Sequence, residues 1–329
     1  MRCSRGKKFL LIGIVVGILA LGPLYMRTDI VGLFIVLFIH IILAQSWNLI
    51  GGYAGQINLG LAAFFGSGAL VTHLIWIGGA NSFMALLAAG MTGLVLSAVV
   101  GFPTLRLRGI YFSMGTLAIA MTAEILVSNL FSGALRAPSI FAAGFTPESR
   151  YYVGLISTMI SLLTMYLIAR SRFGVGLRAT RDDEDAARVT GVNTTKLKIE
   201  AFLISGFMAG IAGGIFTYYY LTIWPEFQFS TLWTFVPLMI VCIGGMGTLM
   251  GPVYGSLILV IIEHIFSRTL GAAHLIIFGI VFIIAVLYFP GGIADGLSKA
   301  QKILEGFFSS KKGLTKPTHD TRMAGETRI

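Results

Sequence analysis

The amino-acid sequence predicts an all-α polytopic membrane protein of about ten transmembrane helices, with glycine-rich broken segments and one short charged helix between spans. Three observations carry that prediction. The mean hydropathy is +0.86, with 56% hydrophobic and 12% charged residues, far more apolar than a soluble domain. Apolar runs of roughly 17–25 residues, long enough to cross a hydrocarbon core of about 30 Å as helices, recur from end to end. Within those runs apolar residues are continuous and do not alternate with polar ones, which excludes barrel strands.

In chain order the spans are expected at 9–26, 30–50, 61–77, 83–102, 110–132, 151–169, 201–221, 231–246, 251–267 and 272–289. The first follows "MRCSRGKK" and has the length of a span. No small-x-small cleavage pattern follows it at "GPLYMRTD", so it reads as a helix and not as a signal peptide. With both termini cytoplasmic, the inner segments 1–8, 51–60, 103–109, 170–200 and 290–329 hold 20 of the 24 Lys and Arg; the outer side keeps Arg27, Arg136, Arg150 and Arg268. Basic residues concentrate on the cytoplasmic side of membrane proteins, which sets this orientation. The same asymmetry accounts for the net charge of +10, and leaves nothing for a nucleic-acid partner to explain. The chain therefore divides into a basic cytoplasmic N-terminus, 1–8, a transmembrane domain, 9–293, with a loop at 170–200, and a basic tail, 294–329. That tail is polar, expected to be disordered beyond about residue 308 and suited to contact with anionic lipid. Cys3 and Cys242 are isolated and suggest neither a disulfide nor a metal site.

Two segments interrupt the apolar pattern. "GGYAGQINLGLAAFFGSG", Gly51 to Gly68, and "GGMGTLMGPVYG", Gly244 to Gly255, share a GG-x-G start. Broken, glycine-rich helices mark substrate paths in transporters because unwound backbone offers free N–H and C=O groups. The competing reading is that glycine only permits tight turns and close packing, which is the role expected for Gly206, Gly210 and Gly214, spaced four apart. A translocation path would then be lined by Asn48, Gly51, Gly52, Gly55, Gln56, Asn58, Gly244 and Gly245. Glu124, an acid well inside the fifth span, joins them, since an intramembrane acid is a functional-site candidate by default; the alternative is an acid protonated or paired with a neighbouring helix for structural reasons. His40, Gln45, Asn48, Gln56 and Asn58 either face that cavity or tie helices together. Glu263, His264 and Arg268, at the outer end of the ninth span, receive no role.

The densest charge lies in "RDDEDAARVTGV", Arg181 to Val192. Thr180 and Asp183 form a capping-box-like start, Asp182 and Asp183 fall in the first turn, Glu184 and Arg188 make an i,i+4 pair, and Gly191 supplies a stop. A helix over 181–190, about 15 Å long, is expected. Being too short to stand alone in water and lacking a stripe of large apolar residues, it needs a partner. Its small face of Ala186, Ala187 and Thr190, rimmed by Arg181, Asp183, Glu184 and Arg188, suits insertion into another protein. A solvated loop is the alternative.

At this point the residues resemble a known family. "EDAARVTG", Glu184 to Gly191, matches the E-x-A-A-x-x-x-G loop by which ABC importer permeases contact their ATPase. The surrounding "RFGVGLRATRDDEDAARVTGVNTTKLKIEAFLISGFMAGIAGGIF", together with "NLIGGYAGQINLGLAAFFGSGA", "LRLRGIYFSMGTLAIAMTAEIL" and "GGMGTLMGPVYGSLILVIIEH", resembles the permease subunits of branched-chain amino acid ABC importers over about residues 35 to 293. One stretch departs: many relatives carry a Thr-Gly-Gly motif after the fifth span, where this chain has "FSGALRAPSIFAAGFTPESR". The resemblance implies a subunit of the prokaryotic cytoplasmic membrane that moves an amino acid inward. It also implies two separate ATPase subunits using ATP-Mg, a second homologous permease and an extracytoplasmic substrate-binding protein.

No catalytic residue or cofactor is expected in the chain itself. Gly291-x-x-x-x-Gly296 is followed by Leu297 and Ser298, not by the Lys-Ser/Thr of a P-loop. An ion-coupled secondary transporter would also have broken helices and a membrane acid, but has no use for the E-x-A-A-x-x-x-G helix. An ABC permease for a sugar, nucleoside or urea remains open. A membrane enzyme fits least, because the loops show no metal spacing and no nucleophile with a base.

Overall fold

A computed structural model of the 329-residue chain describes residues 17–23, 25–79, 81–131, 135–136, 146–270 and the separate positions 279, 280, 283, 287, 292 and 293. Helices dominate: α1 (Thr28–Asn48), α2 (Leu61–Ile77), α3 (Ser82–Thr104), α4 (Ile110–Leu130), α5 (Pro147–Arg170), α6 (Arg172–Asp182), α7 (Glu184–Val189), α8 (Thr194–Tyr220), α9 (Pro225–Gln228), α10 (Leu232–Gly244) and α11 (Gly251–Leu270). A two-stranded antiparallel ladder joins β1 (Leu135–Arg136) to β2 (Thr222–Ile223), with Leu135 opposite Ile223. Among the described residues, six helices are long and apolar enough to cross a membrane; Leu61–Ile77 and Gly251–Phe266 are shorter apolar helices. The chain is thus an all-α multi-pass membrane protein. Of the ten expected spans, the last falls largely outside the described residues, as do the segments 1–8 and 294–329. The first is seen only from residue 17, where the short helix 17–23 is held to α5 by the Tyr151 and Tyr152 hydroxyls, which donate to Leu19 O and Ala20 O.

Packing is inverted relative to a soluble bundle, since the outer surface faces lipid. On α5, Ile156, Ile160, Leu163 and Leu167 are exposed at helical spacing, while Gly154, Thr158, Ser161 and Met165 are turned inward. When lipid is as apolar as leucine, association depends on close backbone approach. Helix α8 supplies it by running between α2 and α3. A Cβ on Gly213 would sit 2.0 Å from Phe65 O, and one on Gly210 would sit 2.3 Å from Ala89 O. Side chains Ser46 and Thr217 complete the seam, donating to Ser205 O at 2.7 Å and Ala69 O at 2.9 Å. The expected packing role of Gly206, Gly210 and Gly214 is what the geometry gives, each facing α3 at sub-van-der-Waals range for an added methyl. On its other side α1 packs against α5, α8, α10 and α11.

Candidate functional site

The end of α1 sets the first half of the site. After Asn48 the helix widens into a π turn, Leu49–Tyr53, and residues 54–60 run without regular structure to α2. Such turns concentrate at functional positions. The irregular stretch is braced by side chains outside it. Trp47 Nε1 donates to Asn58 O, Ser113 Oγ to Ile57 O, and Leu59 N to Thr116 Oγ1. Helix α2 starts at Gly60, which has no side chain to cap it; Thr234 of α10 accepts from Ala62 N at 2.9 Å and supplies the cap from another helix.

The second half is the turn between α10 and α11, residues 245–250. The two glycine segments, about 200 residues apart, meet. Asn48 Oδ1 accepts from Gly247 N at 2.9 Å, Asn48 Nδ2 donates to Thr248 O at 2.9 Å, and Gln45 Nε2 donates to Leu249 O at 2.8 Å. Asn48 reaches across because Gly52 has no Cβ: one there would lie 2.0 Å from Asn48 Oδ1 and 2.5 Å from Gly247 N. Asn48 and Gln45 therefore tie elements together, while the Gln45 Oε1 and Asn58 Nδ2 atoms are buried without a partner. Gly51 lies against the Trp47 ring and Gly244 against Gly251 O; Gly245 is the positive-φ stop of α10. Gln56 is half-buried at the rim of the junction. Glu124 stands apart: on α4 it lies eight residues beyond Thr116, about 12 Å farther along the axis.

The charged segment lies at the same end of the bundle. It is broken where the sequence led us to expect one helix over 181–190. Helix α6 runs to Asp182, Asp183 is extended, and α7 spans only Glu184–Val189. Asp183 Oδ1 accepts from the amides of Asp185 and Ala186, both at 3.0 Å, so Asp183, and not Thr180, is the N-cap. Gly191, at φ +88°, closes a Schellman motif in which Val192 N donates to Ala187 O and Gly191 N to Arg188 O.

What fixes α7 to the protein is polar. Glu184 Oε2 receives Lys198 Nζ at 2.5 Å, and Glu184 Oε1 receives Arg188 Nη2 at 2.7 Å and the Thr194 hydroxyl at 3.3 Å. Thr194 Oγ1 in turn accepts from Arg188 Nε at 2.9 Å. The Lys198 side chain is 5% exposed and that of Glu184 19%. Burial opposes the charge on Glu184, but the Lys198 hydrogen bond and charge, helped by Arg188 and Thr194, outweigh it and hold the carboxyl below the usual carboxylate range. Glu184 thus faces the bundle, where a solvated rim was expected, Arg188 stays about two-fifths exposed beside it, and Ala187 is 5% exposed. The outward face consists of Asp185, Ala186, Val189, Thr190 and Gly191, with Val189 89% exposed. Arg108 meets Asp185 at 3.6 Å on the surface. Arg181 also points inward, its Nη1 donating to Gly52 O at 2.6 Å.

Sequence reasoning missed Gly247, Thr248, Lys198, Thr194 and Thr234. A lysine in the polar first turns of α8, four residues after a threonine, was the available signal for the Glu184 partner. The opposite end of the bundle holds a polar hollow of about 290 Å³ lined by Asp29, Tyr219, Tyr220, Glu263 and His264 among others, so Glu263 and His264 belong to a shaped surface after all.

Comparison with known proteins gives a family match. The model described as branched-chain amino acid transport system, permease component, matches residues 29–286. The chain is 26% identical over 304 residues to the high-affinity branched-chain amino acid transport system permease protein LivM of Salmonella typhimurium, covering 82% of this chain and 70% of that one. To a probable branched-chain amino acid transport permease protein LivM of Methanocaldococcus jannaschii it is 24% identical over 328 residues, 82% of this chain and 94% of that one. To the high-affinity branched-chain amino acid transport system permease protein LivH of Escherichia coli it is 26% identical over 291 residues, 80% and 93% of the two chains. No solved structure matches the chain.

Proposed function

The chain belongs to the family of permease components of branched-chain amino acid transport systems, and from that membership we propose that it carries branched-chain amino acids inward across a prokaryotic cytoplasmic membrane. It works with a second homologous permease, two ATPase subunits that use ATP-Mg, and an extracytoplasmic binding protein. Both termini are cytoplasmic, and the end carrying Arg106, Arg108, Arg170, Arg172, Arg178, Arg181, Arg188, Lys196 and Lys198 faces the cytoplasm. The polar hollow beside Asp29 and Glu263 then opens outside, where the binding protein delivers substrate. The junction of the two glycine segments lies at the inner end of the path, with Glu124 on α4 between.

Helix α7 is the contact with the ATPase. The observation that carries this is its build: six residues, capped at both ends and anchored through Glu184, yet presenting Ala186, Val189 and Thr190 outward with Val189 almost fully exposed. The outward side chains Ala186, Val189 and Thr190 are small, which lets a partner's backbone approach closely, and the charges beside them favour one register. ATP-driven closure can move the permease only through an element with different contacts in its two states.

The test is co-purification of the partner ATPases with variants of the full transporter. Ala186→Trp, on the outward face, is expected to release them or to uncouple hydrolysis from leucine uptake. Retention with normal uptake would show that the outward face of α7 is not the contact. Uptake of labelled leucine, isoleucine and valine by reconstituted vesicles, competed with urea and ribose, settles the substrate class.

A further inference from the structure

We propose that Arg181 is a positioning residue that links displacement of the short charged helix α7 to the two glycine segments, holding them together at this end of the bundle. Its side chain is threaded between them. Arg181 Nη1 donates to Gly52 O at 2.6 Å, a carbonyl at the end of the π turn. A Cβ on Gly55, at φ +70°, would lie 2.8 Å from Arg181 Cγ, and one on Gly247, at φ +72°, would lie 2.5 Å from Arg181 Nη1 and 2.9 Å from Gly52 O. Both positive-φ glycines therefore leave the slot the guanidinium and its stem occupy, and any other residue at either would close it. Asn48 fastens the same two segments to each other from the other side.

Mechanically, Arg181 is well placed. It sits in the last turn of α6, two residues before the break at Asp183 from which α7 hangs. Helix α7 is joined to α8 by the Glu184–Lys198 pair, the Thr194 hydrogen bonds and residues 190–193, to Arg108 through Asp185, and through α6 with Arg181 to the glycine segments. A load on α7 that moves α6 reaches the glycine segments through Arg181. An N–H···O contact at 3.6 Å is no longer a hydrogen bond, so a shift of α6 by about 1 Å frees the Gly52 carbonyl and draws the guanidinium away from Gly247. Arg181 thus acts inward on the path and takes no part in the outward docking face.

The coupling named here rests on the permease reading, so the experiment has one arm that does not. In the first, hydrogen–deuterium exchange is followed in the full chain in lipid nanodiscs. Arg181→Met, which fills the slot without a donor, is expected to accelerate exchange at least tenfold in 52–60 and 245–250 while leaving 205–215 of α8 unchanged. Arg181→Lys, which restores one donor and the charge, is expected to return it to within threefold of wild type. Unchanged exchange in Arg181→Met, or an increase spread evenly over α8, overturns the linkage. In the second arm, leucine moved per ATP hydrolysed is measured in proteoliposomes of the assembled transporter. A fall of at least tenfold in Arg181→Met, with its ATPases retained and at least half the ratio restored in Arg181→Lys, is the expected result. A wild-type ratio, or loss of the ATPases, refutes it. If the wild-type transporter hydrolyses ATP without moving leucine, the substrate reading fails while the exchange arm still decides the linkage.

Discussion

Glu184→Gln removes the charge on which three donors converge, and the structure fixes how much that should matter. The Lys198 ammonium, 5% exposed, is left facing a neutral amide, and Arg188, about two-fifths exposed, recovers most of its hydration. Breaking a buried pair by removing one partner costs about 3–5 kcal/mol. Because Glu184 is itself 19% exposed and Arg188 is solvated, solvent screening reduces this to about 2–3 kcal/mol. At about 1.4 kcal/mol per decade, opening of α7 from α8 becomes roughly 30- to 150-fold more frequent. The assay is hydrogen–deuterium exchange at the amides of 187–192, whose Schellman bonds exist only while α7 is formed. Asp185→Asn, which loses one exposed contact with Arg108, is the control and should change exchange by less than about fivefold, the scale of a surface pair. Glu184→Gln combined with Lys198→Met should recover much of the loss, because the single variant's cost lies in the buried ammonium left without its counter-charge, which the second change removes. Less than a threefold change in the single variant, or no recovery in the double, refutes the claim that this pair anchors the helix.

The remaining predictions concern pH, packing and capping. The folded carboxyl of Glu184 is held below its ordinary value of 4.5; its stabilisation is therefore complete above about pH 4.5 and lost as pH falls through the lower folded value. Exchange at 187–192, corrected for the intrinsic rate, should be flat between pH 7 and 5 and rise below pH 4.5 in wild type but not in Glu184→Gln. Gly213→Ala places a methyl 2.0 Å from Phe65 O, forcing α2 and α8 apart at a cost of about 1–3 kcal/mol. Thermal unfolding in detergent should show it, with Gly17→Ala, where nothing lies within 4 Å, unchanged. Thr234→Val strips the Ala62 amide of its acceptor and should destabilise by about 0.5–2 kcal/mol, with faster exchange at the start of α2 as the local sign.

The contribution of the sequence by itself can be traced to interactions that act over a few residues. Continuous apolar runs determined the membrane class, since a chain segment that long and apolar has no other stable environment. Glycines four apart determined where helices touch backbone to backbone, and Asp183, Glu184 and Gly191 determined that a short capped helix lies between them, because caps and i,i+4 pairs need no distant partner. What the tertiary structure alone decided depends on groups far apart in the chain. Which face of α7 looks outward follows from Lys198, fourteen residues away, and overrules the small-face reading that put Ala187 at the surface. The capping acceptor of α2 comes from Thr234, 172 residues on, where no local rule points. Asn48 and the Gln45 amide nitrogen bond the turn at 247–249, so these two members of a polar cluster that the sequence leaves balanced between lining a path and tying helices tie the two segments together. A buried amide in an apolar medium must find a partner, but its own sequence neighbourhood does not say which one. The partner is fixed only when the glycines at 52 and 247 let the two turns approach within hydrogen-bonding distance.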